Sequence, residues 1–317
     1  MLRDIKPGGK EVDWRGKKIK SLDLMESYAR LKMTKRVIRV MNCGNFLEFR
    51  HYQDKTMKLH SANFCKVRLC PMCSWRRSLK IFGQVSAIMH ELDKTKEYDY
   101  NFLTLTTRNV HHEDLSDSID LLYKAWNKLS KRKRFKNSIH GFFKALEVTY
   151  NYKEDTWHPH LHIIQVVRKD YYKRKDLYIP QKEWSELWQK SLQVDYTPII
   201  DIRKVRGRKG QDKSSAVSET AKYSVKDKDY IIADIWNEID EKRTDKNVKT
   251  LDAALANRRL ASFGGIMAEL HKKLNLDDSE DGNLINTHND EDLHEELDYI
   301  IKRYRWDIGF QQYKEVE

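Results

Sequence analysis

The run His158-Pro159-His160-Leu161-His162-Ile163-Ile164-Gln165-Val166-Val167 constrains this chain more than any other stretch. From Leu161 to Val167 it is rich in β-branched and apolar side chains, the composition of a largely buried strand. Residues two apart on a strand share a face, so His160 and His162 point the same way and can reach one metal ion. His158 has the same parity but precedes Pro159, where the chain can still be leaving a turn. The plainer alternative is three histidines near a strand mouth, two of them hydrogen-bonded and inert. A His-hydrophobe-His pair opening a buried strand argues for the metal.

Residues 141 to 150 (GFFKALEVTY) read as a second strand, joined to the histidine strand through residues 151 to 155. A connection of that size between two strand patterns predicts an antiparallel hairpin. Glu147 then lies beside His160 and His162. A carboxylate in such a strand needs a compensating group, and either a metal or a salt bridge to Lys or Arg supplies it. A third strand is expected over residues 98 to 110, where Leu103 and Leu105 alternate with Thr104 and Thr106.

The four cysteines, Cys43, Cys65, Cys70 and Cys73, include a Cys70-Pro71-Met72-Cys73 turn of the zinc-knuckle type. Four thiolates suit a closed tetrahedral Zn²⁺ site, with His60 in reserve should Cys43 point away. Scattered buried thiols are the alternative. A short strand at Val37-Ile38-Arg39-Val40 is expected to lead into the knuckle. After it, Trp75, Leu79, Phe82, Val85, Met89 and Leu92 recur at helical spacing, with Arg76, Arg77 and Lys80 expected on the wet side. Zinc site and basic helix together read as a small DNA-docking unit.

Charge points the same way. The 317 residues carry a formal +12, and residues 277 to 298 hold ten carboxylates with no Lys or Arg, which leaves +22 on the remainder. That imbalance suggests a polyanionic ligand, with an acidic and flexible stretch kept apart from it. The cluster Lys131-Arg132-Lys133-Arg134, after a helix whose stripe is Ile119, Leu122, Tyr123, Trp126 and Leu129, suits phosphate contacts. No apolar run approaches membrane-spanning length, so a cytoplasmic protein without membrane contact is expected. Further helices are expected over residues 180 to 193 (Trp184, Leu187, Trp188 and Leu192 inward), 215 to 230 and 253 to 274, the last broken at Gly264-Gly265. On the second of these, Glu219 and Tyr223 are four apart and share a face, with Lys226 a turn further on. An aromatic end (Tyr299, Tyr304, Trp306, Phe310) is expected to fold back.

These motifs together resemble the plasmid rolling-circle replication initiators, members of the HUH (His-hydrophobe-His) endonuclease superfamily. FLTLT at 102 to 106 resembles the first motif, HPHLH at 158 to 162 the metal motif, and ETAKYSVKD at 219 to 227 the nucleophile motif. ANFCKVRLCPMCSWRRSLK at 62 to 80 resembles the Cys-rich segment of the small bacterial plasmid branch. The resemblance implies an α+β fold: a ferredoxin-like antiparallel sheet with packed helices, a small N-terminal zinc-knuckle unit and a helical C-terminal region. The expected division is a flexible or helical arm (1–35), zinc knuckle and basic helix (36–95), endonuclease domain (96–235), helical region (236–276) and acidic tail with aromatic end (277–317). It further implies His160 and His162 as ligands of Mn²⁺ or Mg²⁺, with Glu147 or His158 third. Tyr223 is the implied nucleophile, Glu219 a carboxylate in place of a second tyrosine, and Lys226 an accompanying catalytic candidate. The implied activity is nicking at the double-strand origin through a 5′-phosphotyrosine, then strand rejoining. The implied partners are plasmid origin DNA, a host helicase and the replication machinery, with a homodimer left open. A relaxase, a single-tyrosine transposase and a non-catalytic zinc-containing DNA-binding regulator are the rival readings.

Overall fold

The computed structural model describes residues 1–6, 9–205, 217, 225–234, 238–287 and 298–316. The chain divides into two compact units: one holds Met1–Lys80, Asp227–Asp252 and Asp281–Glu317, the other Ile81–Lys226 and Ala253–Glu280. The class is α+β with antiparallel sheets, as expected.

The second unit is built on a five-stranded sheet of β3 (Tyr98–Thr106), β4 (Gly141–Asn151), β5 (Thr156–Arg168), β6 (Ile200–Lys204) and β7 (Ala261–Gly265). Their order is β6-β3-β5-β4-β7, all neighbours antiparallel, so the histidine strand β5 is central. The β4–β5 hairpin forms as expected. Alternation sorts the two faces. Phe102, Phe143, Ala145, Ile164 and Val166 lie on the histidine face and pack with Ile81, Val85, Ile88, Met89 and Leu92 from the second half of α3 (Pro71–Thr95). The opposite face meets α4 (Leu115–Lys131) and α5 (Lys133–Ser138), through Trp126 and Phe135 against Phe142. Helix α6 (Gln181–Leu192) buries Trp184, Trp188 and Leu192.

Strand β7 corrects the expectation of helix over residues 253 to 274 with a break at Gly264-Gly265. Ala261–Gly265 hydrogen-bonds along the edge of β4, and the helix resumes only at Ile266–Lys273. Gly265 makes the turn possible: its φ is +56°, and a Cβ there would stand 2.3 Å from the His140 carbonyl oxygen. The glycines therefore end a strand rather than kink a helix.

The first unit carries a four-stranded antiparallel sheet, β2-β1-β8-β9, of β1 (Phe46–Tyr52), β2 (Met57–Ala62), β8 (Tyr299–Asp307) and β9 (Gln312–Val316). The aromatic end folds back as the β8–β9 hairpin, with the whole of β1 paired to β8. Residues 14 to 30 form helix α1 (Trp14–Arg30), whose Asp13 cap accepts the Gly16 N–H at 2.7 Å. The expected strand at Val37–Val40 is instead helix α2 (Thr34–Asn42). Four β-branched-rich residues are too few to separate strand from helix, and packing on α1 decides the matter. The acidic stretch is not loose where it is described: Glu280 is buried and accepts the Leu260 and Ala261 N–H groups, and Leu284 and Thr287 are buried.

Candidate functional site

Register brings the expected ligands together. His160 faces Thr106 on β3 and Glu147 on β4, and His162 faces Thr104 and Ala145. His160 Nε2 and His162 Nε2 are 3.1 Å apart, and Glu147 Oε2 lies 3.4 Å from the first and 2.8 Å from the second. All three side chains are buried. An ion bonded at about 2.1 Å, tetrahedral or octahedral, separates its ligand atoms by about 3.0–3.4 Å. The three atoms are spaced to fit one.

Their other atoms are committed elsewhere. His160 Nδ1 donates to the His158 carbonyl at 3.1 Å, which leaves its Nε2 lone pair turned to the cluster. His162 Nδ1 meets Thr104 Oγ1 at 3.1 Å. Glu147 Oε1 accepts from Lys226 Nζ at 2.9 Å. The salt bridge open for Glu147 thus forms on Oε1, and Oε2 stays turned to the two histidines. Burial alone would raise its pKa; the Lys226 ammonium and the two imidazoles beside it outweigh burial and hold the carboxyl far below the ordinary range. His158 is not in this group: its Nδ1 meets Asn109 Oδ1 at 2.9 Å, and burial pushes its pKa down to about 4.

The four cysteine sulfurs form a second cluster, in the first unit, all within 4.8 Å of one another. Cys43 Sγ lies 3.5 Å from both Cys73 Sγ and Cys70 Sγ, and Cys65 Sγ lies 3.7 Å from Cys73 Sγ. Zn–S bonds of about 2.3 Å in a tetrahedron give edges of about 3.8 Å, so the four sulfurs could hold that ion without His60. The Cys65 and Lys66 amides point at Cys43 Sγ and Cys73 Sγ, at 3.4 and 3.2 Å, as donors to thiolates would. Lys18, 0% exposed, donates to the Met41 and Cys43 carbonyls at 2.9 and 2.8 Å; burial lowers its pKa, and the thiols nearby counter that.

Comparison with known proteins decides the family. A family model described as "Replication protein" matches residues 56–314. The chain belongs to this replication-protein family. Among its relatives are a "Protein rep" of Bacillus amyloliquefaciens, 39% identical over 99% of this chain and 96% of that protein, and one of Streptococcus pneumoniae, 37% identical over 92% and 89%. A "Protein rep" from Bacillus sp is 43% identical over 79% of this chain and 84% of its own length. No solved structure matches. Membership bears out the resemblance to plasmid rolling-circle initiators, and a plasmid replication initiator must contact origin DNA.

Within this replication protein the basic residues part ways. Arg76, Arg77 and Lys80 are buried, which corrects their expected place on a wet face. Arg76 donates to the Leu284 and Ile285 carbonyls at 2.8 and 2.6 Å, Arg77 to Lys66 and Val67 at 2.7 and 3.3 Å, and Lys80 to Asn283 at 2.9 Å. Helical spacing placed them opposite the apolar stripe, but the acidic segment packs over that side. Lys131 and Lys133 are exposed, while Arg132 reaches Ser191 Oγ at 3.3 Å and Arg134 pairs with Glu183 at 2.7 Å. Glu219 and Tyr223 lie outside the described residues. Sequence reasoning missed Lys18, 25 residues from Cys43, for which the sequence holds no signal. It also missed Thr104 and Asn109 as supports of His162 and His158, although strand parity at Thr104 would have pointed to the first. No helix among the described residues is long and apolar enough to cross a membrane.

Proposed function

We propose that this replication protein nicks one strand at the plasmid double-strand origin and later rejoins it, with Tyr223 as nucleophile. The observation that carries the reading is the convergence of Glu147, His160 and His162 on a single point, with Lys226, three residues beyond Tyr223 in the chain, bound to Glu147. A divalent ion there, Mn²⁺ or Mg²⁺, would draw charge from the non-bridging oxygens of the scissile phosphate. Imidazole ligands favour Mn²⁺. A free phenol has a pKa of about 10, so Tyr223 must give up its proton as its oxygen attacks phosphorus. The P–O3′ bond breaks, the leaving oxygen takes a proton as a free 3′-OH, and the 5′-phosphate stays on the tyrosine. Lys226 keeps Glu147 ionised. Glu219 deprotonates a water or a DNA hydroxyl at termination, so one tyrosine begins the cycle and hydrolysis or transfer ends it.

In the same reading Cys43, Cys65, Cys70 and Cys73 hold a structural Zn²⁺, with Lys18 offsetting the negative charge of four thiolates. The deciding experiment incubates the protein with Mn²⁺ and a single-stranded oligonucleotide spanning the origin. A denaturation-resistant adduct that disappears in Tyr223→Phe is the expected result. An adduct that persists in Tyr223→Phe means another nucleophile, and no adduct under any condition favours the non-catalytic regulator.

A further inference from the structure

Beside the histidines, the ladder between β3 and β5 carries an irregularity that the nicking reading does not use. Thr106 pairs with His160, and the next bridge joins Val110 to Trp157. Three residues, Thr107, Arg108 and Asn109, therefore run opposite two, His158 and Pro159. Trp157 exchanges both main-chain bonds with Val110 at 2.8 Å, so residues of its parity on β5 turn their backbone to this side. Pro159 has that parity and no N–H to offer. It gives only its carbonyl, which Thr107 Oγ1 reaches at 3.5 Å. The facing chain bulges, and a bulge re-aims side chains.

The bulge turns two residues to two tasks. Asn109 holds His158, as described. Arg108 is exposed; its guanidinium carbon lies 3.9 Å over the Tyr196 ring, and its backbone N–H donates to Tyr196 Oη at 3.3 Å. Other arginines of this unit are neutralised by carboxylates: Arg134 by Glu183, Arg174 by Asp176, Arg203 by Asp201 and Arg258 by Asp120. Among the described residues no carboxylate pairs with Arg108. Ile199, 79% exposed, stands on the same rim, its carbonyl held by Thr106 Oγ1 at 2.7 Å. A single exposed aliphatic is common on a protein surface, and this one adds apolar contact area three residues from Tyr196.

We propose that Arg108, Tyr196 and Ile199 form the platform on which single-stranded DNA lies as it reaches the Glu147–His160–His162 centre. An unpaired base stacks on the outer face of the Arg108 guanidinium, already flattened against Tyr196, and covers Ile199, while the guanidinium N–H groups face a backbone phosphate. Arg108 is two residues beyond Thr106, the residue opposite His160, so the platform is about 7 Å along the strand direction from that ligand. That is about one nucleotide step in an extended strand. The inference rests on the nicking reading for its direction toward the metal centre, and its binding test stands apart from that reading.

Fluorescence anisotropy of the full-length protein with labelled dT20, with a 20-mer of abasic sites and with a 20-bp duplex, without divalent metal, reads the platform directly. Arg108→Ala and Tyr196→Ala should each weaken dT20 binding about tenfold, the scale of one lost stacking contact. Arg108→Lys, which keeps the charge on an exposed side chain but not the planar stacking face, should lose the preference for dT20 with its fold unperturbed, which keeps the test clear of misfolding. Wild type should prefer dT20 to the abasic strand, and the two alanine variants should lose most of that preference. Unchanged dT20 affinity in both alanine variants overturns the proposal, as does an equal loss on dT20, abasic strand and duplex, which would mark a plain phosphate contact. The nicking reading fails on a different measurement, the Tyr223-dependent adduct, so the two failures are told apart.

Discussion

Glu147 Oε2 stands 2.8 Å from His162 Nε2 across the β4–β5 hairpin, two side chains fifteen residues apart in sequence that share one face of the sheet. Divalent-ion binding should depend on that carboxylate. Glu147→Gln keeps shape and hydrogen-bonding capacity but removes the charge, and Mn²⁺ affinity by isothermal titration should fall about 100-fold or more. Lys226→Met, which removes the cation on the other oxygen, should raise Mn²⁺ affinity about tenfold by ending charge repulsion. Equal affinities in wild type and both variants would remove the centre.

The four sulfurs predict about one zinc per chain by elemental analysis. Cys70→Ser should lower that content sharply and lower the thermal midpoint by about 10 °C, since a structural ion's binding energy is part of the folding energy. Wild-type protein that is folded and free of metal would refute the site.

Arg77 should matter to stability. It is 2% exposed and its guanidinium satisfies the Lys66 and Val67 carbonyls beside the cysteine cluster. Arg77→Ala leaves those acceptors unmet and should cost about 2–4 kcal/mol in urea denaturation. A variant as stable as wild type but deficient in DNA binding would restore its expected place on a wet face.

Lys144 sets a pH dependence. It is buried on β4 with its Nζ 4.3 Å from the centre of the Tyr123 ring, and burial pushes its pKa down to about 8 from 10.5. Between those two values the unfolded chain binds the proton and the folded chain does not, so stability rises with pH across that window. The gain is at most about 3 kcal/mol. Denaturation midpoints from pH 7 to pH 10.5 should show that rise in wild type and a flatter profile in Lys144→Met.

Where the sequence pattern was strictly local, it was enough. The alternation of Leu103 and Leu105 with Thr104 and Thr106, the two-residue spacing of His160 and His162, and the short link between β4 and β5 placed Glu147 beside the two histidines before any coordinates. Strand parity is a property of the backbone itself, so nothing distant can change which residues share a face.

What depended on distant contacts could not be read in advance. Val37–Val40 became helix because α1 lies beside it, and Ala261–Gly265 became strand because β4 had an open edge. Arg76, Arg77 and Lys80 carry the composition of a DNA-binding face, yet chain from more than 200 residues away supplies carbonyls for Arg76 and Lys80. Lys18 reached the cysteines in the same way. The sequence by itself determined the family resemblance, the shared face of His160 and His162 and the place of Glu147 beside them. Only tertiary structure decided which cations are buried and which, like Arg108, meet no carboxylate among the described residues, because burial and ion pairing are settled by whatever segment packs nearby.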